Sequence, residues 1–520
     1  MISNRFGLAG AIVLAASLAV GAPAQGQTIN TATAWSTGPE WGGPWTFSTN
    51  PADPNSSHLP SVGQSFVVPV NRPAHFANAT FYIAYRSGAA LSYQVLLYRW
   101  NGSATTGNPL VASPILTTST ATDPYIQPIR VSMNGVRLVP NTPYIVILTA
   151  TTAANQADGA YRVGRLTGNP YPDGQFFINA TDSLVSGWAQ VSNSGDRDMA
   201  FIFVFGPDPV TTQQGLQQNA GPVRSVLGQR AAATTFALDY DCPVFDAQGV
   251  CVSVGLRNGQ IGGYGDSGES AGLLALGYRV TPEFRLGGFI DQSLVSNTPA
   301  GVETKATQPM LGAFAVYQQN PDFTGLTLRG AVAYQEGELR ITRPELPDAE
   351  AGTGRARTSA LAFGAELAYG VALDSSWVAQ PYAGLRRSES TRWGYTETAS
   401  DVVTFPISYR SYGQAVTSAT AGLRLRGAIT PQFGVVLGAG LEHDLDSKID
   451  PYAGTSEVGG LESFSMSVAQ QHNGMRAVGS AAMRYMIAPN QAVSVDAAVR
   501  QMPYGNDPAI TTMIRYSIGF

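Results

Sequence analysis

The chain has 520 residues, 44 % of them apolar and only 13 % Asp, Glu, Lys or Arg, about half the ~25 % usual for a soluble globular protein. A formal charge of -5 without any cluster of Lys and Arg excludes nucleic acid as the main partner, because a phosphate-binding face needs concentrated positive charge. After the first ~25 residues no stretch reaches the 18 or more apolar residues of a membrane helix, so a passage through a bilayer has to be made by strands.

Residues 1–24 are expected to form a secretory signal peptide. Arg5 supplies the positive flank, an apolar run extends from Leu8 to Val20, and Ala22-Pro23-Ala24 has the small-x-small form of a cleavage site. The alternative, an uncleaved anchor, calls for a longer run. Residues 28–208 are dense in Pro, Gly, Asn, Ser and Thr, with short alternating runs between these turn formers, the pattern of an all-β sandwich. Strands are expected over 63–68, 79–85, 92–100, 143–148 and 198–205, and in the last of these Phe201, Phe203 and Phe205 share a core-facing side. Asn101-Gly102, Asn134-Gly135 and Asp158-Gly159 are expected to make tight turns with left-handed backbone. The segments "GQSF" at 63–66, "YQVLLYRWNG" at 93–102, "VRLVPNTPYIVIL" at 136–148 and "DMAFIFVFG" at 198–206 resemble a jelly-roll-like module of exported bacterial proteins, which implies glycan binding as a candidate role. Trp41, Trp45, Trp100, Tyr171 and Trp188 are the candidate sugar-stacking side chains, with core packing the alternative for each.

Gly206-Pro207-Asp208-Pro209 punctuates the end of that region, and 209–235 reads as a linker. Its central part, Thr211 to Ala233, has the composition of a broken helix, with Pro222 at a first helical position and Val223, Val226 and Leu227 following at helical spacing. Taken locally, an ordinary interdomain linker fits as well. The only cysteines, Cys242 and Cys251, lie nine positions apart and are expected to pair in an oxidising compartment. A metal site would need further ligands, and His58, His75, His443 and His472 are all distant in sequence. Neither a metal nor a cofactor is expected.

From 236 to 520 the chain alternates. Ile514, Tyr516, Ile518 and Phe520 fall on one face of the terminal strand, with Arg515, Ser517 and Gly519 on the other. Leu326, Leu328, Val332 and Tyr334 likewise oppose Thr327, Arg329 and Gln335, and Leu361, Phe363 and Leu367 oppose Gly364 and Glu366. Charges keep to one phase of these runs. Each run has roughly the 9 to 11 residues that cross a bilayer at a tilt. Short connections such as Thr281-Pro282 and Thr430-Pro431 alternate with longer ones near 338–357 and 387–413, as periplasmic turns alternate with extracellular loops. Strands in hydrocarbon must pair every edge, so the sheet has to close. About 12 or 13 candidate strands occur, and the even number of bacterial barrels selects 12, leaving Phe464 to Val468 to a loop or extension. A soluble Greek-key sandwich is the alternative, and it does not explain single-phase charge in so many runs. The fold class expected is therefore all-β: a β-sandwich, a short helix, and a 12-stranded antiparallel transmembrane barrel.

The terminal "RYSIGF", "AGLLALGYRVTPEFRLGGF" at 271–289, "VAQPYAGLR" at 378–386 and "AGLRLRGAITPQFGVVLGAGLEHDL" at 421–445 resemble the autotransporter family. In that family a signal peptide, a passenger, a helical linker and a C-terminal barrel follow in this order. The resemblance implies that 211–233 threads the pore. It also implies that Arg285, Arg329, Arg424, Arg426, Arg484, Arg500 and Arg515, set against Asp291, Glu366, Glu442 and Asp496, face the lumen. Outer-membrane lipid and the outer-membrane barrel assembly machinery are the partners implied. The chain departs from the family in two ways: residues 28–208 contain no 20 to 50 residue repeat, and no Asn-Asn pair marks a self-cleavage site in the linker.

Gly265-Asp266-Ser267-Gly268 matches the tetrapeptide around a serine protease nucleophile, but His58 and His75 belong to another domain, and Gly, Asp and Ser are ordinary turn formers. No catalytic residue is assigned, and no P-loop, His-Glu-x-x-His or nucleotide fingerprint occurs. The function expected is surface display of a β-sandwich passenger for binding or adhesion, to a surface glycan or a ligand on a host or neighbouring cell. Two alternatives stand beside it: a porin-like channel with a periplasmic N-terminal domain, and a surface hydrolase with an unrecognised active site.

Overall fold

A computed structural model describes residues 27–32, 40–48, 58–68, 74–122, 126–153, 157–166, 168–191, 198–262, 267–468, 472–504 and 508–520. The expected signal peptide lies outside the described residues, as do Gly265 and Asp266.

The N-terminal region is a sandwich of two antiparallel sheets. One is ordered Gln27–Asn30, Phe201–Gly206, His75–Gly88, Gly159–Arg165, Glu40–Phe47, with Gln127–Arg137 also paired to His75–Gly88. The other is ordered Trp188–Gln190, Phe176–Asn179, Ser61–Val67, Pro143–Thr149, Ser92–Trp100, Thr105–Ala112. Alternation places Phe201, Phe203 and Phe205 inward, where they pack with Phe66, Phe76 and Phe81. The same core takes Trp45 and Tyr171, and a smaller cluster takes Trp100. These three side chains therefore cannot stack on a sugar. Trp188 is half-buried, edge-on to Trp100 at 6.1 Å, and the side chain of Trp41 lies outside the described parts.

Two of the expected turns are built differently. Asn134 and Gly135 take positive φ (55° and 61°) inside a strand, as a bulge where Phe76 pairs with Val136 but Asn78 with Ser132. At Asp158-Gly159 the left-handed residue is the facing Gly88, φ 83°.

The last sandwich strand leads directly into a helix, Pro209–Ala237. Asp208 caps it by accepting the Val210 N–H at 2.9 Å, and Pro209 opens it where its missing N–H costs nothing. The helix is 29 residues long, about 43 Å at the α-helical rise. The expected break at Pro222 does not occur. Pro222 deprives the Gln218 carbonyl of its partner, but Gln217 and Gln218 are exposed and that carbonyl can be hydrated. Val223, Val226 and Leu227 are buried on the far side and hold the helix across the defect.

Residues 250–519 form a barrel. The sheet has thirteen strands, one of which, Val302–Thr307, is a spur on Gly325–Thr342. The remaining twelve are Val250–Ile261, Ser267–Arg279, Phe284–Asn297, Met310–Gln318, Gly325–Thr342, Thr353–Ala372, Trp377–Arg392, Tyr412–Ala428, Phe433–Ile449, Met475–Ala488, Gln491–Gln501 and Pro508–Gly519. Each pairs with its neighbours in sequence, and Pro508–Gly519 closes the ring on Val250–Ile261. Leu256, Leu276, Leu311, Leu367, Leu437 and Ile514 point outward and are exposed, as a lipid-facing row requires. Tyr278, Tyr369, Tyr485 and Phe520 are exposed at one rim, an aromatic girdle beside the short turns.

Long connections emerge at the other rim. The expected loops at 338–357 and 387–413 are shorter than predicted, because pairing continues to Thr342 opposite Thr353 and to Arg392 opposite Tyr412. Cross-strand ion pairs such as Arg355–Glu338 and Arg357–Glu336 decorate this extension. Above it, Tyr395–Thr396, Ser408–Tyr409, Tyr452–Thr455 and Ser463–Met466 form a small sheet that caps the mouth. Phe464 thus belongs to a loop extension and not to the barrel wall.

Candidate functional site

The helix occupies the lumen, its N-terminus at the long-loop mouth and its C-terminus toward the short turns. Ala233 and Ala237 are small enough to sit against the inward row of the wall, and the Ser225 hydroxyl meets the Ser267 hydroxyl at 3.1 Å. Ser267, from the protease-like tetrapeptide, is buried against the helix.

Four consecutive residues after the helix are tied to different parts of the wall. Asp239 pairs with Arg386 at 3.2 Å and Asp241 with Arg285 at 2.7 Å. Between them, Tyr240 donates its hydroxyl to Asp291 at 2.6 Å, and Asp291 also accepts Arg257 Nε at 2.8 Å and Nη2 at 3.0 Å. Cys242 is disulfide-bonded to Cys251 on the first barrel strand. The helix carries no basic residue in its last turn. Barrel arginines gather at that end instead: Arg329 donates to the carbonyl of the cap residue Leu238 and to that of Tyr240, and Arg515 to that of Asp241. Cations beside the C-terminal carbonyls are favoured by the helix dipole.

The mouth is closed around the other end. Leu216, Ala220, Val223 and Leu227 share one core with Tyr412 of the barrel wall and Phe405, Ile407, Tyr452 and Val458 of the cap. At the end of its barrel strand, the fully buried Arg392 lies over the cap rings of Tyr395, Tyr409 and Tyr452 at 5.0, 5.8 and 5.5 Å. Burial there pushes the Tyr452 hydroxyl up to about 12. Arg343 holds Glu397 through two bonds of 2.6 and 3.0 Å, and Glu397 accepts the Ile407 N–H and the Tyr409 hydroxyl.

The sandwich is seated on this cap. Its Asn134-Gly135 bulge meets Gly459-Gly460 backbone to backbone; a Cβ on Gly135 would stand 2.3 Å from the Gly459 carbonyl oxygen, and one on Gly459 2.5 Å from the Ala77 backbone. Around this contact Ser132 donates to Glu462 at 2.6 Å, Asp208 N–H bonds the Asp348 carbonyl at 2.7 Å, and Gly206 abuts the Phe405 ring.

Of the other inward charges, Glu366 pairs with Arg424, Glu442 with Arg476 and Arg500 (3.3 Å each), and Asp496 with Arg515 at 3.0 Å. Arg426 donates to Gln380 at 2.9 Å. Arg484 lines the same space without an ion pair among the described residues. Along the last strand Ile514 and Phe520 are exposed outward, Tyr516 and Ile518 partly so. Sequence reasoning did not find Asp239, Tyr240, Asp241 or Arg257. Two acids flanking a tyrosine, directly after a helix in a charge-poor chain, were the available signal.

The C-terminal half of the chain resembles known proteins. Residues 255–498 match the family model of the autotransporter β-domain. Among solved structures the chain is similar to three from that family. The translocator domain of the autotransporter NalP from Neisseria meningitidis is 14% identical, with 58% of this chain and 97% of that one covered and a TM-score of 0.42. The β domain of the Bordetella autotransporter BrkA is 16% identical, with 53% and 100% covered and a TM-score of 0.37. The transport unit of the autotransporter AIDA-I from Escherichia coli is 14% identical, with 56% and 98% covered and a TM-score of 0.33. Nothing among curated proteins matches the chain.

Proposed function

We propose, on the premise that residues 255–498 form an autotransporter β-domain of the outer membrane, that the chain exports and permanently displays its own β-sandwich at the cell surface for binding or adhesion. In this reading 1–24 is a signal peptide, 28–208 the passenger, 209–235 the linker and 236–520 the translocator. The barrel is inserted among outer-membrane lipids by the barrel assembly machinery.

The observation that carries the proposal is the path of the chain. The final sandwich strand, Phe201–Gly206, and the lumen helix, Pro209–Ala237, are separated by two residues, and the helix ends among the arginines near the short turns. Short turns face the periplasm in bacterial barrels, which puts the sandwich outside. A helix along the lumen argues against the porin-like reading. The translocator barrel is not itself an enzyme; the passenger's role rests on its place outside, and its ligand is a surface glycan or a protein of a neighbouring or host cell.

Asn101-Gly102 is an exposed hairpin on the sandwich and suits an inserted epitope. An antibody to that epitope should label intact cells, and added protease should remove it. On the same cells the antibody should lower retention on a glycan- or cell-coated surface. Protection of the epitope until the outer membrane is permeabilised would sink the display reading, and unchanged retention would remove the adhesive role.

A further inference from the structure

Resting on the export reading above, we propose that Asp239 and Asp241 are positioning residues that stop the exported chain in register: arginines at the floor of the lumen take hold of this acid pair and arrest the linker with its helix inside the barrel.

Arg285, Arg329 and Arg515 stand within five residues of the short-turn ends of their strands, Phe284–Asn297, Gly325–Thr342 and Pro508–Gly519. Among the described residues neither Arg285 nor Arg329 forms an ion pair with an acid of the wall; both meet Asp241, at 2.7 and 3.8 Å. Arg285 grips it with both prongs of its fork, Nε at 3.1 Å and Nη2 at 2.7 Å, the strong bidentate form of such a pair. Arg386 meets Asp239 at 3.2 Å, and its wall partner Glu366, at 3.8 Å, is itself held by Arg424. The wall thus carries cations whose carboxylates are delivered by the linker.

The chain ahead of the pair cannot answer to that floor. From 209 to 238 there is no Asp or Glu, and the only charges are Arg224 and Arg230. An inward slip would carry Arg230 toward the floor, where like charges repel. An outward slip would take Asp239 and Asp241 off their arginines and toward Glu269, Asp291 and Glu442, acids that stand farther from the short turns. Either displacement is opposed, and between largely buried groups the opposition is little screened. The Asp241 side chain is 16 % exposed and that of Arg285 12 %; Asp239, at 42 %, is better solvated and contributes less. Between 28 and 238 two acids stand two positions apart only at Asp196 and Asp198, with Arg197 between them.

The test uses the full chain in cells, in a C242S/C251S background that frees the linker from its disulfide, with one new cysteine pair at a time. S225C/S267C reports the native register; Q218C/S267C and A232C/S267C report slips of about two helical turns inward and outward. With both acids present only the first pair should link. D239N/D241N, which keeps the shape without the charge, should lower that link about tenfold and raise a slipped one. R285Q/R329Q should do the same, D239E/D241E should restore the native link, and R355Q on the exposed collar should change nothing. Resistance of the barrel to SDS before heating shows that each variant folds. The proposal is overturned if D239N/D241N links at 225–267 as the unaltered pair does, or if D239E/D241E slips like the amides. An epitope at Asn101-Gly102 that stays protected from outside while the link still depends on the acids would count against export and not against the register lock.

Discussion

Asp291 is fully buried and accepts three charge-assisted or hydroxyl bonds, from Tyr240 and twice from Arg257, which is itself buried. Replacing it by Asn keeps the shape but leaves the Arg257 charge with Glu269 alone, at 3.3 Å. Breaking such a buried pair costs about 3–5 kcal/mol, so D291N should lower the denaturant midpoint of the barrel by that equivalent. A change below about 1 kcal/mol would show that the lumen there is wet enough to solvate the guanidinium. Single-phase alternation in the sequence points to which charges face inward, since a strand that puts Leu328 and Val332 in lipid must turn Arg329 to the lumen. The pairing was not legible. Arg257 and Asp291 are 34 positions apart and Arg424 and Glu366 are 58 apart, and each meeting depends on barrel closure, which no local pattern encodes.

The elements divide in the same way. The two Thr-Pro-x-Phe turns could be read directly, and both fold alike: the Thr281 and Thr430 hydroxyls accept the N–H of Phe284 and Phe433 at 3.1 and 3.0 Å. Judged locally, Pro222 breaks the helix; the barrel and cap that hold it together are remote in sequence. Asn134-Gly135 carried a correct backbone signal with the wrong use: the left-handed residues form a bulge that seats the sandwich on Gly459-Gly460. A side chain at Gly459 would meet the Ala77 backbone at 2.5 Å, with no flexible group to give way. G459V should therefore lift the sandwich off the cap while the barrel still folds. On cells, added protease should then cut near Gly206-Pro207, where the unaltered chain resists. An unchanged digestion pattern would mean that the two domains touch without holding each other.

At the scale of the molecule, sandwich, cap, lumen helix and barrel form one continuous path. The sandwich rests on the loops that close around the helix, the helix fills the lumen, and the residues after it bind the wall from several sides. Low charge in the barrel half reflects a lipid-facing row that excludes charge, while the arginines are spent on the lumen. The two kinds of alternating run, with a stretch of helical spacing between them, made sandwich, helix and barrel readable in outline. The cap and the seat were not readable, because each is assembled from loops far apart in the chain.

Everything above depends on the helix standing inside the barrel with its middle at the level of Ser267. Ser225 and Ser267 approach to 3.1 Å between hydroxyls, and the native cysteines are already joined to each other. In outer membranes carrying S225C/S267C, mass spectrometry should find the peptides around these two positions disulfide-linked in most molecules. Free thiols at both positions, open to a membrane-impermeant maleimide, would contradict the threaded lumen and the display reading built on it.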